Sequence, residues 1–271
     1  MSFNSNGLLG DDAAAWGRGN REAYRDLFDD LLACNQASQE LLHARGPKRS
    51  QAKEVVATCL FVRCIHHYAP IVLLLERGLS HSSRALVRVM FEAVATSRAI
   101  AVDDEFWLKY IRQDEWKRVK IINKMRGTSS DVFADARELA TPELLAEIRG
   151  KISEDESRDI SVEELARRAD LHDWYIAGYT YMSPSVHTSV RDLERHLRFD
   201  ANGIVAGIVV TPDDRETLAL GGTAGWFLCL AADAFATSMQ LAVPEKVKAL
   251  MTSFLAHLRR ADAVMNASPS R

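Results

Sequence analysis

The stretch from Ala52 to Ile100, AKEVVATCLFVRCIHHYAPIVLLLERGLSHSSRALVRVMFEAVATSRAI, decides the fold class. Its apolar residues recur at three- and four-residue intervals and do not alternate as a half-buried strand requires. Two helices are expected, separated at Gly78, where glycine relaxes a left-handed cap and Ser80 is set to cap the next helix. The first is apolar round much of its circumference, which suits the centre of a bundle, and Pro70 should bend it. In the second, Ala85, Val89 and Ala93 make one stripe, while Arg88 and Glu92, one turn apart, share another face.

The same period extends both ways along the chain. A helix is expected from about Asn20 to Arg45, stopped by Gly46-Pro47. Another, from Asp103 to Met125, opens with acids and closes with bases, as the helix dipole favours. From Gly127 to Asp170 the chain turns polar, and Thr141-Pro142-Glu143 and Ser161 mark the starts of short helices lying over the bundle. Ser183-Pro184-Ser185 announces a further helix, SVHTSVRDLERHL, with serine at the cap and proline at the first helical position. Asn202-Gly203 is the one hairpin signal. A long apolar helix then runs from about Asp213, and a last one from Pro244. The reading is an all-α bundle with a polar helical insertion and at most one small β-hairpin. Its expected organisation is a flexible tail over 1–19, one helical domain over 20–266 with the insertion at 127–170, and a tail over 267–271.

Composition narrows the function classes. The chain has 271 residues, 47% hydrophobic and 26% charged, which fits a soluble globular domain and excludes a disordered chain, a collagen-like polymer and a membrane bundle. Lys+Arg 34 against Asp+Glu 37 leaves a net charge of -3, so the chain as a whole is no polyanion binder and any basic patch must be local. Cys34, Cys59, Cys64 and Cys229 are scattered, which fits small core fillers in a reducing compartment better than disulfides or a zinc ribbon. The start MSFNSNGLLGDDAAAWGRGN has no basic-then-apolar leader pattern, so cytoplasm is the expected location. Leu218–Val243 approaches the length of a bilayer span, but Asp233 and its many small residues read as a buried core helix, with no membrane involved. Phosphate loops, GxGxxG, GxSxG and HExxH are all missing, and no cofactor or metal is implied.

Two constellations could carry chemistry. Arg88 and Glu92 can form an ion pair inside the bundle, or Arg88 can anchor a phosphate or substrate. Tyr179, Ser183, His187 and Arg191 follow one another at four-residue spacing. If Ser183 caps a helix starting at Pro184, His187 lies in its first turn, where free N–H groups and the dipole attract an anion that Arg191 would clamp. The plainer alternative is that Tyr179 and His187 hydrogen-bond within the bundle and Arg191 faces water. His66-His67 point about 100° apart on a helix, which suits one satisfied core histidine beside an exposed one.

LLLERGLSHSSRALVRVMFEAVATSRAI, a polar insertion, and ISVEELARRADLHDWYIAGYTYMSPSVHTS together resemble the bacterial domain-of-unknown-function family 5677. That resemblance covers roughly Val55 to Val210. It implies a helical bundle with an Arg-x-x-x-Glu helix, matched by Arg88 and Glu92, and a Tyr-x-x-x-Ser-x-x-x-His segment, matched by Tyr179, Ser183 and His187. Separately, RDLERH, Arg191 to His196, resembles the Arg, polar residue, three residues, His motif of HEPN proteins, many of them metal-independent ribonucleases of toxin–antitoxin and phage-defence systems. The HEPN resemblance implies a HEPN-like helical bundle in which Arg191 and His196 of two protomers line one cleft, Asp192 assists, and His196 promotes attack by a ribose 2′-hydroxyl. On a straight helix Arg191 and His196 lie about 140° apart and His187 and Arg191 about 40°, so spacing favours the second pair.

The expected function is RNA cleavage or RNA binding in a bacterial toxin or defence system, by a homodimer, with an antitoxin or defence protein as a possible partner. The competing expectation is a non-catalytic helical binding, scaffold or nucleotide-sensing module. The candidate catalytic residues are His187, Arg191, Asp192 and His196; the candidate substrate-binding residues are Arg88, Glu92, Tyr179 and Ser183.

Overall fold

A computed structural model describes residues 3, 6–48, 50–153, 158–187 and 189–267, without the side chains of Arg191 and Met265. The fold is all-α with one small hairpin. The helices are α1 (Asp11–Ala23), α2 (Arg25–Ala44), α3 (Ala52–Glu76), α4 (Ser80–Val102), α5 (Phe106–Gly127), α6 (Ala134–Leu139), α7 (Pro142–Arg149) and α8 (Val162–Arg168). They continue with α9 (His172–Trp174), α10 (Thr180–Met182), α11 (Val190–Leu193), α12 (Thr217–Ser238) and α13 (Glu245–Ala267). Strands β1 (Leu197–Phe199) and β2 (Val205–Ile208) pair antiparallel around Asn202-Gly203, where Gly203 has φ 75°.

α12 is the hub, packed against α2, α3, α4 and α13 and buried over most of its length. Phe235 stacks on Phe61 of α3 at 4.7 Å between ring centroids, and Phe227 meets Phe91 of α4 at 5.5 Å. Small residues let its neighbours in: a methyl group at Gly225 would stand 2.3 Å from Phe254 of α13. α3 and α12 are long and apolar enough to cross a membrane by length and composition, and both are packed into this bundle. Asp233 lies at the rim of α12, where Arg98 of α4 reaches it at 3.4 Å.

Several expectations need correction. The N-terminal tail does not extend to residue 19: α1 begins at Asp11, buries Ala13 and Gly17, and is tied down by Asn20 Nδ2 donating to Leu75 O at 2.9 Å. Ser80 does not cap α4; its Oγ donates to Asp213 O at 2.7 Å, while Asp213 N donates to Gly78 O at 2.9 Å. Gly78 takes φ 70° there, with Trp16 and Pro212 packed where a Cβ would stand. The buried stripe of α4 runs through Arg84, Val87, Met90, Phe91 and Val94, not along Ala85 and Val89. Cys34, Cys64 and Cys229 fill the core, but Cys59 is exposed. His66 is exposed as expected, whereas His67 Nε2 is buried without a hydrogen-bond partner, and burial lowers the pKa of that imidazole.

The polar segment does form short helices. Thr141 and Ser161 cap α7 and α8 by accepting the N–H groups of Leu144 and Glu164. Leu145 and Ile148 make a small second core with Val119 of α5, and α8 packs on α4.

Candidate functional site

His81, Arg84, Arg88 and Glu92 recur at three- and four-residue intervals along α4, so helical geometry sets them in one row. The segment from α9 to α11 lies along that row. It is anchored by Trp174, which stacks on Trp226 of α12 at 4.5 Å, and by Tyr179, whose ring meets Phe91 at 5.5 Å. Tyr175–Tyr179 form a single π-helical turn, a local widening that proteins often place at functional sites.

At one end of the row, three residues from the sequence reading meet. Arg88 Nη1 donates to Glu92 Oε1 at 2.9 Å, Tyr179 Oη donates to the same oxygen at 3.0 Å, and Arg88 Nη2 donates to Tyr179 Oη. Arg88 also lies 4.5 Å from the Tyr179 ring centroid. Burial and the Glu92 carboxylate push the Tyr179 phenol up to about 12, against the pull of Arg88. The Arg88–Glu92 pair is not fully buried as expected, because the Glu92 side chain is 38% exposed.

At the other end stands a denser cluster. Arg84, 2% exposed, pairs with Glu216 at the start of α12; its Nη1 donates to Ser185 Oγ at 3.4 Å and lies 3.9 Å from Asp192 Oδ1. Ser185 Oγ donates to Asp192 Oδ1 at 3.3 Å. Arg195 completes the ring, with Nε 3.7 Å from Asp192, Nη1 3.5 Å from Glu216, and Nη2 donating to Tyr181 Oη at 3.0 Å. His81 Nε2 stands 3.7 Å from Asp192 Oδ2, and its ring lies 5.2 Å from that of His196 between centroids. Both side chains are exposed in part, although His81 Nδ1 is buried without a hydrogen-bond partner.

The geometry redraws the remaining site expectations. Ser183 is itself helical, at φ -57° and ψ -40°, so it is no N-cap; it sits in a 3-10 turn, Ser183–Ser185, whose end leaves His187 on an exposed turn. Ser189 is the cap, accepting Asp192 N–H, and α11 that follows is one turn long. The anion site expected at Pro184 and His187 is therefore not formed, since a cap must be extended where Ser183 is helical. Asp192 is buried within the ion cluster, and His196, in a 3-10 turn, reaches His81 instead of His187. The side chain of Arg191 lies outside the described residues, as does Thr188. His81, Arg84, Tyr181, Ser185, Arg195 and Glu216 escaped the sequence reading, although the row from His81 to Glu92 is visible as helical spacing.

A family model for DUF5677, a family of unknown function, matches residues 54–204, more than half of the chain. The chain belongs to that family. Among curated proteins and solved structures there is no significant match. The DUF5677 match contains the row from His81 to Glu92 and the segment from Tyr179 to His196; Glu216 lies beyond it. A cavity of about 430 Å³ opens elsewhere, beside α5 and α8, but Arg168 on its wall is taken up by Asp103 and Glu164. The imidazole pair and its arginines line none of that cavity.

Proposed function

We propose that the chain cleaves RNA without a metal ion, at the pair formed by His81 and His196. The single observation that carries the reading is the 5.2 Å approach of these two partly exposed imidazoles beside Arg195 and Asp192. Phosphodiester cleavage without a metal needs one group to take the 2′-hydroxyl proton and another to protonate the departing 5′-oxygen. His196, the histidine of the HEPN-like motif, takes the first role, and His81 the second through Nε2, which stands 3.7 Å from Asp192 Oδ2, because its Nδ1 is buried. A bond forms between the 2′-oxygen and phosphorus while the phosphorus to 5′-oxygen bond breaks, leaving a 2′,3′-cyclic phosphate and a 5′-hydroxyl. Arg195 stabilises the charge that develops on the phosphoryl oxygens. A HEPN-like homodimer in the cytoplasm, working in a toxin or defence system with an antitoxin partner, is the setting this reading suggests.

One observation favours a second reading, a non-catalytic binding or scaffold module: Arg84 and Arg195 are matched by Asp192 and Glu216, so the cluster neutralises itself. Incubation with RNA in EDTA separates the two. Under the ribonuclease reading the parent cuts RNA to cyclic-phosphate ends, a 2′-deoxy nucleotide at the scissile position blocks the cut, and His81→Ala and His196→Ala lose it while His187→Ala keeps it. Arg191→Ala, the arginine of the motif, tests that residue in the same assay. RNA left intact at high protein concentration, or histidine variants that cut like the parent, transfers the conclusion to the scaffold reading.

A further inference from the structure

Resting on the ribonuclease reading, we propose that Tyr181 stacks a nucleobase and that the RNA bound at this site is unpaired. Tyr181 is 58% exposed, yet two arginines hold it. Its hydroxyl accepts from Arg195 Nη2 at 3.0 Å, and the guanidinium groups of Arg84 and Arg195 each lie 5.6 Å from its ring centroid. An exposed aromatic ring normally gives up rotamer freedom when it captures a ligand; this ring has given it up beforehand.

Its neighbours place it beside the chemistry. Arg84 lies one turn along α4 from His81, and Arg195 directly precedes His196. A phosphate between the imidazoles therefore presents an adjoining base to Tyr181. The other rings of the segment are engaged with one another, since Tyr175 stacks on Tyr179 at 5.3 Å and on His172 at 6.1 Å. A π-face accepts any base, but bases in a duplex are already stacked and cannot offer theirs.

The test uses the full chain carrying His81→Ala and His196→Ala, with a short RNA bearing one 2-aminopurine, single-stranded or annealed to its complement. Single strands should bind more tightly than duplex and their fluorescence should fall on binding. Tyr181→Leu in that background should weaken single-strand binding about five- to hundred-fold and abolish the fluorescence change. Tyr181→Phe and Tyr181→Trp should retain both, and thermal melts confirm that each variant is folded. Tyr181→Leu binding like its parent, Tyr181→Phe failing as badly as Tyr181→Leu, or duplex bound equally well each overturns stacking while leaving cleavage by the unmutated chain to stand. RNA neither bound by the double variant nor cut by the unmutated chain overturns the ribonuclease reading and this inference together.

Discussion

The hydroxyl of Tyr179 donates to Glu92 Oε1 at 3.0 Å, clasping the segment that carries the π-helical turn to the middle of α4. Burial first, and the Glu92 charge second, keep that phenol protonated to about 12, against an ordinary value of 10.0. Between those limits the folded chain binds a proton that the unfolded chain has released, so this contribution to stability is lost as pH rises through the window. Tyr179→Phe should cost on the order of 1 kcal/mol at neutral pH and flatten the alkaline decline in melting temperature. Parallel alkaline curves for parent and variant would show that Tyr179 does not titrate late.

Arg84 and Arg88, one turn apart, should respond differently to mutation. Arg84 is 2% exposed and faces buried Asp192 and half-buried Glu216, so Arg84→Met, which leaves both carboxylates short of a cation, should cost on the order of 3–5 kcal/mol in urea unfolding. Arg88→Met disturbs a pair whose carboxylate is 38% exposed. Its cost should fall between the roughly 0.3–0.5 kcal/mol of a solvated helix pair and the buried figure. Equal losses would contradict the difference in burial.

Gly225→Ala should destabilise by about 1–3 kcal/mol, because its new methyl group meets the Phe254 ring, a rigid side chain that can move only by shifting α13. Gly19→Ala, with open space at its Cβ, is the matched control and should raise or preserve the melting temperature.

Glu54 fastens the loop after α2 to the start of α3, accepting from Lys48 N at 2.9 Å and pairing with Arg45. The Lys48 N–H bond, opposed by burial and helped by Arg45, holds its carboxyl below the ordinary 4.5. A depressed folded pKa contributes stability that is present above the unfolded value and lost as pH falls through the folded one. Parent and Glu54→Gln melts should therefore differ at pH 7 and converge in acid; a constant gap would remove Glu54 from the acid response.

Periodicity made the bundle legible, because burial on a helix repeats every three to four residues and is written locally. The Thr141 and Ser161 caps and the Asn202-Gly203 turn were legible for the same reason: each is satisfied within a few residues. Arg88, Glu92 and Tyr179 were named together through the family pattern alone. The Ser183 cap was misread because serine followed by proline suits a helix start, while π-helical and α-helical turns upstream already carry the chain into Ser183. Arg84, Arg195 and Glu216 could not be grouped beforehand, since their meeting depends on α12 docking beside α4 far along the chain.

The helix at the centre of the bundle begins only at residue 217, yet α2, α3 and α4 are shaped around it. Synthesis delivers those three first, with Leu27, Phe61 and Phe91 facing a trough that α12 later fills. At ribosomal speed the interval from the end of α4 to the end of α12 is on the order of ten seconds. Through that interval the nascent chain presents an unfilled apolar channel, the kind of surface that chaperones shield. A message truncated after the hairpin would make that condition permanent, releasing an aggregation-prone fragment in place of a smaller working domain.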